Sequence, residues 1–317
     1  MTSHTFPPAN LGLIGCGLMG HGIAKNLLLA GHRVTILDHP GNQPCGDLAA
    51  QGAGFSKNLS DITHAKDAVF IVLPGSPEVE AVVLGEGGLL QHLETGTLVI
   101  DATTAEPEQT LKIAAAVRAQ GCAYVDAPMT RTPKEAEAGQ LNVLLGGADG
   151  DVAKARSYID AYAENIYHGG GVSAGHRLKL LHNFVSIGQA VVISEAVAAA
   201  DKGGVDLAVL TEVLATGGAG GVALERLRPY IEQSDSSSFR FAIRNAAKDL
   251  DYYTRMAAAL DAHADTAQAV RHVLISALEH SSANAVMPQL IDILGDKSTL
   301  RIYRDSSAAC APTRRRA

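Results

Sequence analysis

A chain of 317 residues, 47% of them apolar, is long enough for about two domains that each bury their own core. Its formal charge of −7 argues against a nucleic-acid partner. No apolar run approaches the ~20 residues of a membrane span, and the start, M-T-S-H-T-F-P-P-A-N, lacks the basic-then-apolar layout of a secretory signal.

Leu11 to Ile14 form a short apolar run that predicts a strand. It ends in Gly15-Cys16-Gly17-Leu18-Met19-Gly20 and passes into an alanine- and leucine-rich helix. Each glycine has a physical job in a dinucleotide site. Gly15 permits a tight strand-to-helix turn, Gly17 lets the backbone approach a pyrophosphate, and Gly20 lets the helix pack closely on the strand. The helix start then offers N–H groups and a positive dipole end to the phosphates. Cys16, Cys45, Cys122 and Cys310 are scattered without metal-type pairing, so no metal site is expected, and they suit a reducing cytoplasm.

Arg33 to Leu37 reads as the second strand, ending at Asp38. A carboxylate there accepts hydrogen bonds from a ribose and would repel a ribose phosphate. The following His39-Pro40-Gly41-Asn42 brings no arginine, so NAD is expected over NADP. The plainer reading is that Asp38 only opens a turn. Further strands are predicted at Ala68–Leu73, Leu98–Asp101, Ala123–Asp126, Asn142–Leu145 and around Ile166, most of them separated by helical patterns. Such alternation predicts a doubly wound, mostly parallel α/β sheet of Rossmann type. Ligands bind beyond the carboxyl ends of such strands. Leu73-Pro74-Gly75, Asp101-Ala102-Thr103-Thr104 and Asp126-Ala127-Pro128-Met129-Thr130-Arg131 should therefore surround one crevice.

From about Gly169 the texture changes. A glycine-rich turn leads into one long apolar helix, Ala174 to about Lys202, followed by helical patterns at Leu207–Ala215, Ala242–Leu260, Thr266–Glu279 and Asn284–Leu294. The expected organisation is a dinucleotide-binding domain at 1–170 and an all-α domain at 171–304, joined by the long helix. A flexible tail of small residues with a basic end is expected at 305–317. Lys179 and Asn183 are one turn apart and share a face of that helix, with His182 close by. A lysine among apolar neighbours is a candidate acid/base whose pKa burial would lower, and Asn183 is its orienting partner. The alternative is a lysine that snorkels out of a core helix.

These stretches resemble the β-hydroxyacid dehydrogenase family, which includes 3-hydroxyisobutyrate, tartronate semialdehyde and 6-phosphogluconate enzymes. The resemblance runs from about Leu11 to about Leu294. It rests on Gly15 to Gly20 with the following Ile23-Ala24-Lys25-Asn26-Leu27, on Asp126-Ala127-Pro128, on Gly171 and Gly175 leading to Lys179 and Asn183, and on Lys248-Asp249-Leu250. It implies metal-free hydride transfer between a nicotinamide and a small anionic 3-hydroxy acid or its aldehyde. Lys179 would exchange the proton, Asn183 would align it, and Lys248 would add positive potential near substrate and cofactor. Thr103 or Thr104 resembles the family's cofactor-side hydroxyl, and a homodimer or homotetramer is implied.

Three departures stand out. The family's serine-glycine-glycine after D-x-P is here Thr130-Arg131-Thr132. Arginine offers a planar fork of donors to an oxyanion, and the R-T step resembles the sulfolactaldehyde reductase branch. Alternatively, Arg131 pairs with Glu135 or Glu137 and faces solvent. His182 stands where the family more often has asparagine, and it either touches substrate or bonds within the helix. The run Gly217 to Gly221 reads either as a mobile interhelix loop near the site or as a flexible connection, and the connection is favoured. Two rivals are weaker: imine reductases generally lack the lysine, and a non-catalytic NAD-binding sensor or scaffold would be expected to lose Lys179, Asn183 and Lys248.

Overall fold

The computed structural model describes residues 7–296. The tail expected at 305–317, with its basic cluster and Cys310, lies outside the described residues, as do residues 1–6. The chain divides into two compact units, Met1–Leu180 and Leu181–Ala317.

The first unit is built on six parallel strands: β1 (Asn10–Ile14), β2 (Arg33–Leu37), β3 (Gly54–Ser56), β4 (Ala68–Ile71), β5 (Leu98–Asp101) and β6 (Ala123–Asp126). Their order is β3-β2-β1-β4-β5-β6. Every residue of β4 is buried, and its side chains alternate between two cores. Phe70 joins Leu11, Leu13, Ile23 and Leu27 on one face; Val69 and Ile71 join Ile62, Val79, Val99 and Ile113 on the other. A sheet covered on both faces needs such unbroken apolar runs. Short β3 was not expected, because Gly54-Phe55-Ser56 is largely exposed and carries no alternation.

The helices of this unit are α1 (Leu18–Leu29), α2 (Gly46–Ala50), α3 (Leu59–Thr63), α4 (Ser76–Leu84), α5 (Pro107–Ala119), α6 (Pro133–Glu137) and α7 (Asp149–Ile159). The order in which successive strands are added reverses between β1 and β4, the switch point at which such parallel sheets hold ligands.

The strands predicted near Asn142 and Ile166 do not extend this sheet. They are β8 (Leu141–Leu145) and β9 (Ala163–His168), paired in parallel, with β7 (Met129–Thr130) antiparallel to β8. Pro128 explains the break: it has no N–H to continue the ladder, while its carbonyl accepts from Leu144 N–H at 2.9 Å. The chain therefore turns out of the first sheet after Asp126.

The unit boundary falls within α8 (Ala174–Lys202), whose predicted ends match. By length and composition α8 is apolar enough to cross a membrane, contrary to the expectation that no stretch reaches that limit. Yet Leu180, Ile187, Ala190, Val191 and Val197 are buried at helical spacing, the pattern of a core helix.

The second unit continues with α9 (Leu207–Thr216), α10 (Val222–Gln233), α11 (Ile243–Ala259), α12 (Asp265–Glu279) and α13 (Leu290–Gly295). Helix α10 was missed because Pro229 lies inside it and reads as a stop signal. The helix expected at Asn284–Leu294 is shorter. Val286 bridges to Ala242, Met287–Gln289 form a 3₁₀ turn around Pro288, and α13 follows. Gly217 to Gly221 connect α9 to α10.

Candidate active site

The glycine-rich turn at the end of β1 is forced by its surroundings. Gly15 has φ +93°, a left-handed conformation that favours glycine, and a Cβ there would drive into the Val72 carbonyl at the end of β4. A Cβ on Gly20 would strike the Gly15 carbonyl, so α1 can start this close only with glycine. Gly17 differs: a Cβ there would meet nothing within 4 Å. Its outer face is open, and no side chain caps the N-terminus of α1 that it begins. The open glycine beside an uncapped helix start fits a pyrophosphate.

The rest of the turn is tied down from β2. Asn42 Oδ1 accepts from Cys16 N–H at 3.2 Å, and its amide donates to the Leu37 carbonyl at 2.9 Å. Gln43 N–H donates to the Cys16 carbonyl at 2.8 Å. Asn42 thus couples the glycine turn to the strand end that carries Asp38, a role the sequence reading missed. Asp38 itself is exposed, and its N–H donates to the Ser56 carbonyl at 2.7 Å. Leu18 is exposed and Met19 half-buried at the start of α1, while Cys16 points into the core.

The loops after β4 and β5 are joined by Thr103. Its buried hydroxyl accepts from Leu73 N–H at 3.2 Å, and its own N–H donates to Asp101 Oδ1 at 3.0 Å. Tyr124 donates to Asp101 Oδ2 at 2.8 Å; burial, followed by the Asp101 charge, holds the phenol well above its ordinary pKa. Thr103 is therefore a strut, whereas Thr104 and Leu73 are half-buried and Pro74 is exposed.

Asp126 does more than open a loop. Its buried carboxylate accepts from Ser173 N–H at 2.7 Å and His176 N–H at 2.8 Å, clamping the entry to α8 three residues before Lys179. Burial raises its pKa even though these bonds and His176 pull it down. Gly146 and Gly175 are required beside it, since a Cβ on either would contact its oxygens. Lys179 is half-buried on the next turn.

The Thr130-Arg131-Thr132 segment divides its labour. The Thr130 hydroxyl is buried and accepts from Asn142 Nδ2 at 3.1 Å, leaving its proton to donate. Thr132 caps α6: its hydroxyl accepts from Lys134 N–H at 3.3 Å, and Glu135 returns a bond to the Thr132 N–H at 2.9 Å. Arg131 has φ +84°. Its guanidinium pairs with Glu164 of β9 and the Gln140 carbonyl, rather than with Glu135 or Glu137.

In the second unit, Asn183 is buried and its amide donates to Asp249 Oδ2 at 2.6 Å, while its carbonyl oxygen lies 3.0 Å from His182 Nδ1. The Lys248 ammonium lies 3.0 Å from Asp249 Oδ1 and 5.0 Å from the centre of the Tyr252 ring. Asp249 thereby links Asn183 to Lys248. The sequence reading took the lysine of this K-D-L segment as the functional residue and gave the aspartate no role. His182 bonds its neighbour within the helix.

A second polar cluster fastens α1. His21 Nδ1 lies 2.6 Å from Glu137 of α6, and its Nε2 lies 3.0 Å from Asp47 of α2. Lys25 adds a bond to Glu137 at 3.1 Å. Partial burial opposes the charged ring, but the two carboxylates outweigh it and raise the His21 pKa above 6.5. The His21 contribution is complete below its unfolded pKa and is lost as pH rises through the raised folded value. The carboxylate contributions of Asp47 and Glu137, whose pKa values are lowered, are lost as pH falls through those values. His21→Ala should therefore lower the unfolding temperature more at about pH 5.5 than at about pH 8.5. Equal losses at both values, read by differential scanning fluorimetry, would contradict a charged His21 bridge.

Among the described residues no group of three or more His, Cys, Asp or Glu could hold a metal ion. The strand order, the glycine turn and the open helix start define a dinucleotide-binding protein with a helical second unit. Residues 10–170 match the NAD binding domain of 6-phosphogluconate dehydrogenase, and residues 173–294 match the NAD-binding domain of NADP-dependent 3-hydroxyisobutyrate dehydrogenase. The NAD-dependent L-serine dehydrogenase of Pseudomonas aeruginosa is 34% identical over 246 residues, 76% of this chain and 82% of that protein. The 3-sulfolactaldehyde reductase of Escherichia coli is 33% identical, over 76% of this chain and 81% of its own length. The crystal structure of 3-hydroxyisobutyrate dehydrogenase from Salmonella typhimurium superposes with a TM-score of 0.80 at 25% identity, covering 90% of this chain and 99% of that one. The chain belongs to the 3-hydroxyisobutyrate dehydrogenase-like β-hydroxyacid dehydrogenase family of nicotinamide-dependent oxidoreductases.

Proposed function

We propose that this protein interconverts a small anionic 3-hydroxy acid and its semialdehyde, with NAD as the preferred cofactor. The observation that carries this reading is Lys179 one helical turn before a buried Asn183 whose amide is fixed by Asp249. The bound nicotinamide supplies or accepts the hydride. Gly15 to Gly20 would hold the pyrophosphate, with Leu73, Pro74 and Thr104 lining the crevice. In the oxidative direction Lys179 takes the alcohol proton; in reduction its ammonium polarises the carbonyl and protonates the oxygen. Asn183 keeps the reacting oxygen in line, and Lys248 adds positive potential. The competing non-catalytic sensor has no use for this lysine–asparagine–aspartate arrangement.

The preference for NAD is supported by the exposed Asp38 carboxylate and the absence of arginine in the turn that follows. Asp38→Ala should narrow the ratio of kcat/KM for NAD over NADP at least about tenfold. An unchanged ratio would assign Asp38 to the turn alone.

A second substrate reading, a three-carbon sulfonate aldehyde, is supported by the 33% identity to 3-sulfolactaldehyde reductase and by Arg131, whose guanidinium would exchange its Glu164 partner for the sulfonate. An arginine held at φ +84° carries a backbone penalty of about 1–2 kcal/mol that glycine avoids. Its planar fork suits a sulfonate as well as a carboxylate. The Thr130 hydroxyl in the same segment, which accepts from Asn142, would donate its proton to that anion. The test of both readings is an absorbance assay at the nicotinamide band across sulfolactaldehyde, succinic and tartronate semialdehydes, 3-hydroxyisobutyrate and L-serine. Turnover of a carboxylate or sulfonate supports the function and selects the branch. NAD binding without turnover of any of them supports the sensor.

Assembly as a homodimer or homotetramer is supported by exposed Leu181, Val185 and Val192 on α8 and Val209 and Val213 on α9. Val192→Lys should shift the mass in solution toward the monomer by light scattering. A cytoplasmic location is supported by the free state of Cys16, Cys45 and Cys122.

A further inference from the structure

Two of the cysteines lend no thiol to the proposed reaction, yet their sulfurs meet. Cys45 Sγ lies 3.5 Å from Cys16 Sγ, although the residues are 29 positions apart. The surrounding backbone already holds their segments together. Cys16 N–H is bonded to Asn42 and its carbonyl to Gln43 N–H, so the segment leading to Cys45 is hydrogen-bonded to both backbone groups of Cys16. The Cys45 thiol also lies 3.0 Å from the Gln43 carbonyl, which restricts its rotation. The sulfurs need to close by only about 1.5 Å to reach the ~2.05 Å of a disulfide.

We infer that Cys16 and Cys45 form a redox-sensitive pair that a hydroperoxide converts into an intramolecular disulfide within the glycine-rich turn. The two thiols differ in access, which orders the steps. Cys45 is partly exposed, whereas Cys16 has no exposed surface. Burial, reinforced by Cys45, Asp47 and Glu137, pushes the Cys16 thiol far up and keeps it protonated. Cys45 therefore reacts first: its sulfur takes the distal oxygen of the hydroperoxide, giving a sulfenic acid and an alcohol, or water from hydrogen peroxide. The Cys16 sulfur then attacks the Cys45 sulfur. The S–O bond breaks, the hydroxide leaves with the Cys16 proton as water, and the S–S bond forms. A two-electron oxidation of the pair is balanced by reduction of the peroxide. A dithiol of ordinary strength reverses the bond by exchange.

The site lies where such a bond would matter. It would tie the turn between β1 and α1 covalently to the segment after β2, across the part of the fold that carries Asp38 and Asn42. Cys122 is a separate buried thiol, 3.1 Å from the Glu94 carbonyl.

The experiment treats the reduced, full-length protein with a stoichiometric amount of hydrogen peroxide and reads intact mass and a non-reducing peptide map. The expected result is a loss of about 2 Da and a Cys16–Cys45 cross-linked peptide, both reversed by dithiothreitol. Cys45→Ser, a change at a partly exposed position, should abolish the loss. Cys16→Ser should leave a Cys45 sulfenic acid that dimedone traps. A cross-link that involves Cys122 or Cys310, a disulfide between two chains, or oxidation of Cys45 to sulfinic acid without any cross-link would overturn the inference.

Discussion

Lys179→Ala is expected to lower kcat by about 10²–10⁴-fold, the range typical of a lost general acid or base. NADH binding, followed by fluorescence, should remain within about twofold, because the glycine turn and its partners are untouched. Lys179 follows directly on the segment that Asp126 clamps through Ser173 and His176, so its turn of helix starts from a fixed point. Asn183, one turn on, is fixed in the second unit by Asp249. A preorganised donor of this kind contributes most when charge develops on the substrate oxygen. Retained turnover in Lys179→Ala would remove the residue from the chemistry. Asp249→Ala offers an independent check: it should lower kcat through a misoriented Asn183 while leaving NADH affinity unchanged.

The glycines give the second large effect, and their contrast is informative. Gly15→Val is expected to destabilise the first unit by about 3 kcal/mol or more. It combines a left-handed backbone with a collision against the Val72 carbonyl. Gly17→Ala meets no protein atom within 4 Å, so the unfolding temperature should be unchanged. If the open space above Gly17 belongs to the cofactor pyrophosphate, that same variant should bind NADH at least about tenfold more weakly. Stability is read by thermal denaturation and affinity by fluorescence titration. Undiminished NADH binding by Gly17→Ala would move the cofactor away from this turn.

What could be read from the sequence followed from how local each feature is. The β1-turn-α1 segment was legible because its glycine spacing answers to constraints within a few residues. The buried strands and the long helix α8 were legible because their periods are long or unbroken. The second sheet was not, since its separation depends on one missing N–H at Pro128. Helix α10 was hidden by Pro229. The candidate site shows the same division. Lys179 and Asn183 stand at helical spacing, so their shared face is written in the sequence. The Arg131 partner, Glu164, is 33 positions away on β9, and no local pattern points to it. Asp126 and Asp249 were visible as motif residues, but their jobs depend on packing: one receives the entry to α8, the other receives Asn183. Cys16 and Cys45 looked scattered because only the fold of β2 brings them together.

The most direct measurement follows deuterium from NADH labelled at the transferable position of the nicotinamide into the hydroxy-acid product, by mass spectrometry. Using whichever aldehyde the absorbance assay selects, the expected result is a product heavier by about 1 Da, with the label on the carbinol carbon and none released to water. Product that carries no label, or label found in solvent, would contradict direct hydride transfer and with it the dehydrogenase reading of this fold.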